Sequence, residues 1–405
     1  MFVRRLLRGL AATVAGLLVA AVFLAIYGAG LVWTRALPTL TAAPANIPAP
    51  PPAVALDWQR PSTVAVGTVD LGLKARAGDL TPRPTASIAK VITILVVASV
   101  RPLGAADAGP SITMTRDDVT RLNETLAASG SFYPVRAGQV WTQRQVLEAI
   151  MLVSANNLAD SYAIWAFGTM KAYHDAAVAF LAAHGLLDTT VGPDASGRDS
   201  SWTSSSADLF ALGCLVMRDP GLASVVALTH ADAPDGGTFT NTDPLISHDG
   251  YVGIKTGTTT PAGYCLLVAN HQVVSGVDVI VVAVVLNETD ATARNQSARD
   301  LVNWALANLA TVRVNAGQPY GYVTGLDGRL LPVVATDGAF GVRWRDDSAI
   351  TVNWTGPNTL TMPLVDGSQF GTVSALGHTI PLVVEGEEAM PDMEWRLRHL
   401  DRLAW

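Results

Sequence analysis

The chain has 405 residues, 49% of them hydrophobic, with a net charge of −7, an isoelectric point near 5.5 and a mean hydropathy of +0.31. That length accommodates two domains, the apolar excess calls for a membrane segment, and the acidic balance without a basic cluster before the C-terminal tail excludes a nucleic-acid partner. Two cysteines, Cys214 and Cys265, and seven histidines without ligand spacing exclude a disulfide scaffold, a metal cluster and a zinc site. No cofactor is expected. The cysteines sit in apolar contexts that suit buried free thiols, with one bridge as the alternative.

Residues 9–34 carry no charge, and Ala11 to Val32 is nearly all apolar, enough to cross about 30 Å of hydrocarbon. Arg4, Arg5 and Arg8 precede it, so the positive-inside rule leaves a short N-terminus in the cytoplasm and the remaining chain outside. The apolar core exceeds the roughly 7–15 residues of a signal peptide, which predicts an uncleaved single-pass anchor over residues 1–37. Residues 38–57, rich in Pro and Ala, read as an extended spacer.

"STVAVGTVD" and the turn-rich "LGLKARAGD" predict a strand pair, and Ser87 to about Val100 a helix apolar on all sides. Residues 142–168 give helical spacing twice, broken at "SAN"; helices also follow at "YHDAAVAFLAAHG" and "SSSADLFALGCLVM". Three strands then succeed one another in "YVGIKTG", "GYCLLVANHQ" and "VDVIVVAVVLN", before a helix over residues 291–309. This order predicts an α+β fold: an antiparallel sheet flanked by helices, with a helical subdomain inserted between its strands. From about Val314 short strands separated by Gly, Asp and Pro predict a small all-β domain. The domain boundaries expected are therefore 58–313 and 314–390, with an amphipathic tail over 391–405. In that tail Met393, Leu397, Leu400 and Ala404 share a stripe among arginines. It suits either an anionic leaflet, with Trp405 at the interface, or packing on the β-domain.

Only four lysines occur among 27 Lys and Arg: Lys74, Lys90, Lys171 and Lys255. Lys90 stands three residues after Ser87 at the head of an apolar run, where its ammonium has little water to reach. Ser154-Ala155-Asn156 lies 67 residues beyond Ser87, and Lys255-Thr256-Gly257 101 residues beyond Ser154. Composition alone would give a Lys-Thr-Gly about 0.02 times, so the ordered trio is a strong signal.

With these motifs, and with "NTDPLI", "DGYVGIKTG" and "PAGYCLLVA" around the third, the chain resembles the D-alanyl-D-alanine carboxypeptidases, low-molecular-mass penicillin-binding proteins with a β-lactamase/DD-peptidase-like fold. The resemblance runs from about Ser62 to Gly386, and "GQPYGYVTGLDGRLLPVVA" is similar to the β-domain that follows the catalytic domain in part of that family. It implies Ser87 as nucleophile, Lys90 as base, lowered in pKa by its apolar site and a neighbouring cation, and Ser154 as proton relay. It further implies substrate contacts from Asn156, Lys255, Thr256 and Gly257, and an oxyanion hole from the N–H groups of Ser87 and Thr258. The implied substrates are peptidoglycan stem peptides, the inhibitors β-lactams, and the location the outer side of the cell membrane. A serine β-lactamase and a non-catalytic wall-associated scaffold of the same fold are the alternatives. Against the first, no glutamate occurs between Glu148 and Glu288 to activate a deacylating water.

Overall fold

The computed structural model describes residues 2–49, 51–347 and 350–404, so Trp405 lies outside the described residues. The chain divides into two compact units: Pro52–Ala310, and a discontinuous one made of Met1–Pro51 with Thr311–Trp405.

In Pro52–Ala310 the unbroken apolar strands and the two-sided burial have one cause. An antiparallel sheet takes the strand order Tyr251–Thr259, Gly263–Val274, Val277–Glu288, Thr63–Thr68, Gly72–Ala77. Val281 to Leu286 and Leu266 to Ala269 are fully buried residue after residue, without the alternation of a half-exposed sheet, because helices cover both faces. Before the central strands come the helices α1 (Phe2–Trp33), which belongs to the other unit, α2 (Ala89–Ala98), α3 (Arg116–Ala127), α4 (Gln143–Leu152), α5 (Asn156–Phe167), α6 (Met170–Ala183), α7 (Ser206–Arg218) and α8 (Pro220–Val226). Helix α9 (Ala291–Ala307) follows them. Helix α7 packs on the strands Thr63–Thr68 and Val277–Glu288, and α9 also lies on the latter. Helix α2 touches α4, α5, α6 and α7, and every residue from Ala89 to Val97 is buried. Helices α3, α4 and α6 open with threonine N-caps, Thr115, Thr142 and Thr169, whose side chains accept from backbone N–H groups three residues on. Cys214 and Cys265 are buried and unpaired.

In the other unit, α1 is 32 residues long and apolar enough to cross a membrane. The expected spacer is partly folded here. Leu40–Pro44 pairs with Pro319–Thr324 and Thr359–Leu360 inside a seven-stranded antiparallel sheet, because Leu40 and Ala42 alternate inward and bury their side chains in its core. The β-domain is thus completed by chain that precedes the other unit. The tail also departs from its pattern. Helix α10 (Met393–Arg398) is short, Leu397 and Leu400 of the apolar stripe are 52% and 38% exposed, and Arg396 is buried. The Arg396 Nη1 donates to the carbonyls of Trp33 (3.0 Å), Arg35 (3.2 Å) and Val32 (3.4 Å), and its guanidinium lies over the Trp33 ring. A helix C-terminus presents carbonyls without intrahelical partners, and a cation there is favourable. That electrostatic demand outweighs the hydrophobic stripe.

Candidate active site

All three motifs lie in Pro52–Ala310. Ser87 sits in a 3₁₀ turn, Ala86–Ile88, that leads directly into α2. Ala86 just before it is held at φ 48°, a left-handed conformation that costs a residue with a Cβ about 1 kcal/mol or more. The three-residue spacing puts Lys90 over the serine: its Nζ donates to Ser87 Oγ at 2.9 Å. Two further acceptors surround the same nitrogen, Asn156 Oδ1 at 2.6 Å and the Ser196 carbonyl at 2.7 Å.

Ser154 and Asn156 belong to the break between α4 and α5. Ser154 takes φ 60°, turning the chain sharply so that α5 starts at Asn156. Ser154 is buried, and its hydroxyl makes no hydrogen bond to Ser87 or Lys90. Asn156 is fixed from behind, its N–H donating to the Ser131 carbonyl at 2.8 Å.

The third motif lies on Tyr251–Thr259, an edge strand of the sheet, so its outer backbone groups are not used by a neighbouring strand. Gly257 faces the serine turn. A Cβ placed on it would stand 3.0 Å from the Thr85 carbonyl oxygen and 3.1 Å from the Ser87 nitrogen, so a side chain there would push strand and turn apart by a few tenths of an ångström. Lys255 is buried and donates to the Thr256 carbonyl at 3.0 Å; the Thr256 hydroxyl meets that of Thr242 at 3.1 Å, and Thr258 is exposed.

Burial sets the charge states. It pushes the Lys90 ammonium well below its ordinary value, the positive charge of Lys255 adds to this, and Asp194 and Asp160 oppose it. Burial also brings Lys255 down to about 7, against the pull of Asp243 and with a contribution from Arg294. The two lysines are coupled: a charge on one favours the neutral form of the other.

Several residues here had no motif to mark them. Asp194 accepts from the N–H and hydroxyl of Ser196, both at 2.7 Å, and from the N–H of Asp199 at 3.0 Å, while Asp160 accepts from the Ala195 N–H at 2.7 Å. Burial raises Asp160 to about 6. These carboxylates shape the loop that presents the Ser196 carbonyl to Lys90. Gly197, at φ +75°, brings that loop so near the serine turn that a Cβ would stand 2.0 Å from the Ala86 oxygen. The signal available in sequence was "PDASG", an Asp two residues before a Ser and then a Gly, the composition of a tight side-chain-capped turn.

A serine, a buried lysine and an asparagine are thus joined by hydrogen bonds beside a glycine-lined edge strand. Residues 74–290 match the sequence model of the D-alanyl-D-alanine carboxypeptidase family, and the chain belongs to that family. It is therefore a hydrolase of the DD-peptidase class. The fold is shared with solved structures. The D-alanyl-D-alanine carboxypeptidase DacD from Francisella tularensis is 18% identical at a TM-score of 0.59, covering 86% of this chain and 98% of its own. Penicillin-binding protein 5 from Haemophilus influenzae is 17% identical at 0.58, covering 83% of this chain and all of its own. The Streptomyces K15 DD-transpeptidase is 23% identical at 0.54, covering 60% of this chain and 96% of its own. No curated protein sequence matches the chain.

Proposed function

We propose that this protein is a serine-type D-Ala-D-Ala carboxypeptidase that removes the terminal D-alanine from peptidoglycan stem peptides through an acyl-enzyme on Ser87 and is inactivated by β-lactams. The observation that carries the reading is the 2.9 Å contact between Ser87 Oγ and a lysine with no exposed surface. A serine hydroxyl is too weak an acid to react unaided, and a lysine whose charged form burial disfavours is a base that can take its proton.

In this reading Ser87 Oγ attacks the carbonyl of the penultimate D-alanine while its proton passes to Lys90 Nζ. The N–H groups of Ser87 and Thr258 receive the oxyanion, in keeping with the closeness of the Gly257 strand to the Ser87 nitrogen. The proton returns through Ser154 to the leaving amine as the C–N bond breaks, and D-alanine departs. Water, giving its proton to Lys90, then cleaves the ester and restores Ser87. Asn156 orients Lys90 and receives the substrate amide. Lys255 and the Thr256 hydroxyl hold the terminal carboxylate, and the open edge strand accepts the peptide backbone as an added strand. Helix α1 anchors the protein by a single pass with the catalytic unit on the extracytoplasmic side. Residues 58–313 form the catalytic domain.

Mass spectrometry of the protein with penicillin over time, beside D-alanine release from a D-Ala-D-Ala peptide, tests this. The expected result is a long-lived adduct on Ser87 together with D-alanine release. An opened β-lactam stays tethered in the path of water, and no glutamate between Glu148 and Glu288 serves to activate a water from the other side. Rapid turnover of many penicillins per protein would establish a β-lactamase instead. Absence of both adduct and D-alanine would establish a scaffold.

A further inference from the structure

The chain ahead of the third motif sets a hydroxyl that no motif marks against Thr256. Thr242 Oγ1 stands 3.1 Å from Thr256 Oγ1, and the backbone around it is tied down on both sides. The Asn241 N–H donates to the Thr229 carbonyl at 2.8 Å, its side-chain amide donates to the Leu228 carbonyl at 2.9 Å, and its Oδ1 accepts from the Asp243 N–H at 2.9 Å. Thr242 itself donates its N–H to the Leu152 carbonyl at 3.0 Å. Leu152 is the last residue of α4 and stands two residues before Ser154. One residue thus reaches, through its backbone, the corner that carries the second motif and, through its hydroxyl, the strand that carries the third.

We propose that Thr242 is a positioning residue for the reaction: it orients the Thr256 hydroxyl toward the terminal carboxylate and holds it in register with Ser154, which makes the site selective for a leaving group that carries an α-carboxylate. The proposal rests on the roles given to Thr256 and Ser154 above. A hydroxyl has one proton to donate, and a carboxylate only accepts. With its proton on the substrate carboxylate, Thr256 Oγ1 can only accept from Thr242. The pair then runs in one direction, Thr242 donating to Thr256 and Thr256 to the carboxylate, and each bond in such a chain polarises the next. Among the described residues the Thr242 hydroxyl has no other hydrogen-bond partner, so nothing competes for its proton. The tie to Leu152 supplies the register. In D-alanine the amine that takes the proton and the carboxylate sit on the same carbon, so the proton donor at one and the hydroxyl at the other must keep a fixed separation. The contacts from Leu152 through Thr242 to Thr256 link those two points without passing through Ser87 or Lys90.

The test uses the full chain in lipid nanodiscs and two peptides that differ only at the terminus, one ending in D-Ala-D-Ala and the other in its C-terminal amide, with release of D-alanine or D-alaninamide followed. Thr242→Val keeps the shape and the N–H to Leu152 and removes the hydroxyl. For the acid, kcat/KM should fall about 5–12-fold, the upper part of the range for one hydrogen bond because the chain ends on a charge, and chiefly through KM. For the amide it should stay within about twofold of the parent. Thr242→Ser, which keeps the hydroxyl, should restore the acid to within about twofold. Thr256→Val should cost the acid at least as much as Thr242→Val, and combining the two should cost nothing further. Equal losses on acid and amide in Thr242→Val, no rescue by serine, or a full second loss in the Thr256→Val background overturns the proposal. Loss of the acid-to-amide preference in Thr256→Val beside its retention in Thr242→Val overturns the proposal alone. A Thr256→Val variant that keeps the preference overturns the role given to Thr256, and a parent chain that releases neither product overturns the proposed function; in either case the proposal falls with it.

Discussion

Gly197→Ala isolates how tightly the site depends on a loop that no motif marks. An alanine Cβ there would stand 2.0 Å from the Ala86 oxygen, 2.8 Å from the Ala86 carbonyl carbon and 2.7 Å from Ala89 Cβ. Ordinary carbon contacts need about 3.5 Å, so the loop must retreat by about 1 Å or more. The Lys90 to Ser196 hydrogen bond, 2.7 Å long, does not survive such a shift. The left-handed φ adds about 1 kcal/mol for a residue with a Cβ, and a lost hydrogen bond about 0.5–1.5 kcal/mol. The sum, about 1.5–2.5 kcal/mol, lowers the melting temperature of a unit this size by about 3–10 °C. Acylation should fall about 100-fold, since a misplacement near 1 Å at a reacting group has that scale. The assays are stopped-flow labelling with a fluorescent penicillin and a thermal melt. Gly185→Ala is the control: its φ is +70° with nothing within 4 Å of the added Cβ, so it carries the backbone cost without the clash. A Gly197→Ala variant that labels within about twofold of the parent and melts with the Gly185→Ala control would refute the argument.

Lys90→Arg should abolish both penicillin labelling and D-alanine release, because a guanidinium does not give up its proton; labelling at the parent rate would remove Lys90 as the base. The pH profile of kcat/KM should fall as pH rises through about 7, where Lys255 loses its proton and with it the attraction for the substrate carboxylate. Lys255→Arg stays charged, so that alkaline limb should move upward, and a limb left in place in the pH titration would assign it to another group. Stability should respond in the opposite sense. Between the folded value of Lys255 and the ordinary value of 10.5 the unfolded chain binds the extra proton, so Lys255 makes the catalytic unit more stable as pH rises through that window. Replacing it by Met should flatten this rise in melts taken across the window, and an undiminished slope would count against a depressed Lys255. Arg396→Ala should free the tail from the end of α1, at a cost of about 1.5–3 kcal/mol for lost charged hydrogen bonds, read as faster proteolysis beyond Pro391. Unchanged protection would show that the tail is held by other contacts.

The sequence by itself determined the pairing of Ser87 with Lys90 and the order of the three motifs. Ser87 and Lys90 are joined because three residues along a helical turn face one another, and the apolar run after Lys90 announces its burial. Those are local facts, set by periods of 3.6 and 2 that leave a trace in the string. The long N-terminal helix and the strands from Tyr251 to Glu288 were legible from their unbroken apolar runs, bounded by turn residues in the case of the strands. Tertiary structure alone decided what closes around them. Leu40–Pro44 reads as a Pro-rich spacer because one strand of five residues shows too little alternation to be told from extended linker, and it becomes a strand when edges more than 270 residues later pair with it. Arg396 sits among apolar neighbours whose stripe predicts its exposure, yet the unpaired carbonyls ending α1 draw it inward. Asp160, Asp194 and Asp243 are three carboxylates among many in the string. Whether a carboxylate tunes a lysine depends on the distance between the two in space and on how little water lies between them, and neither quantity is written in the order of the residues.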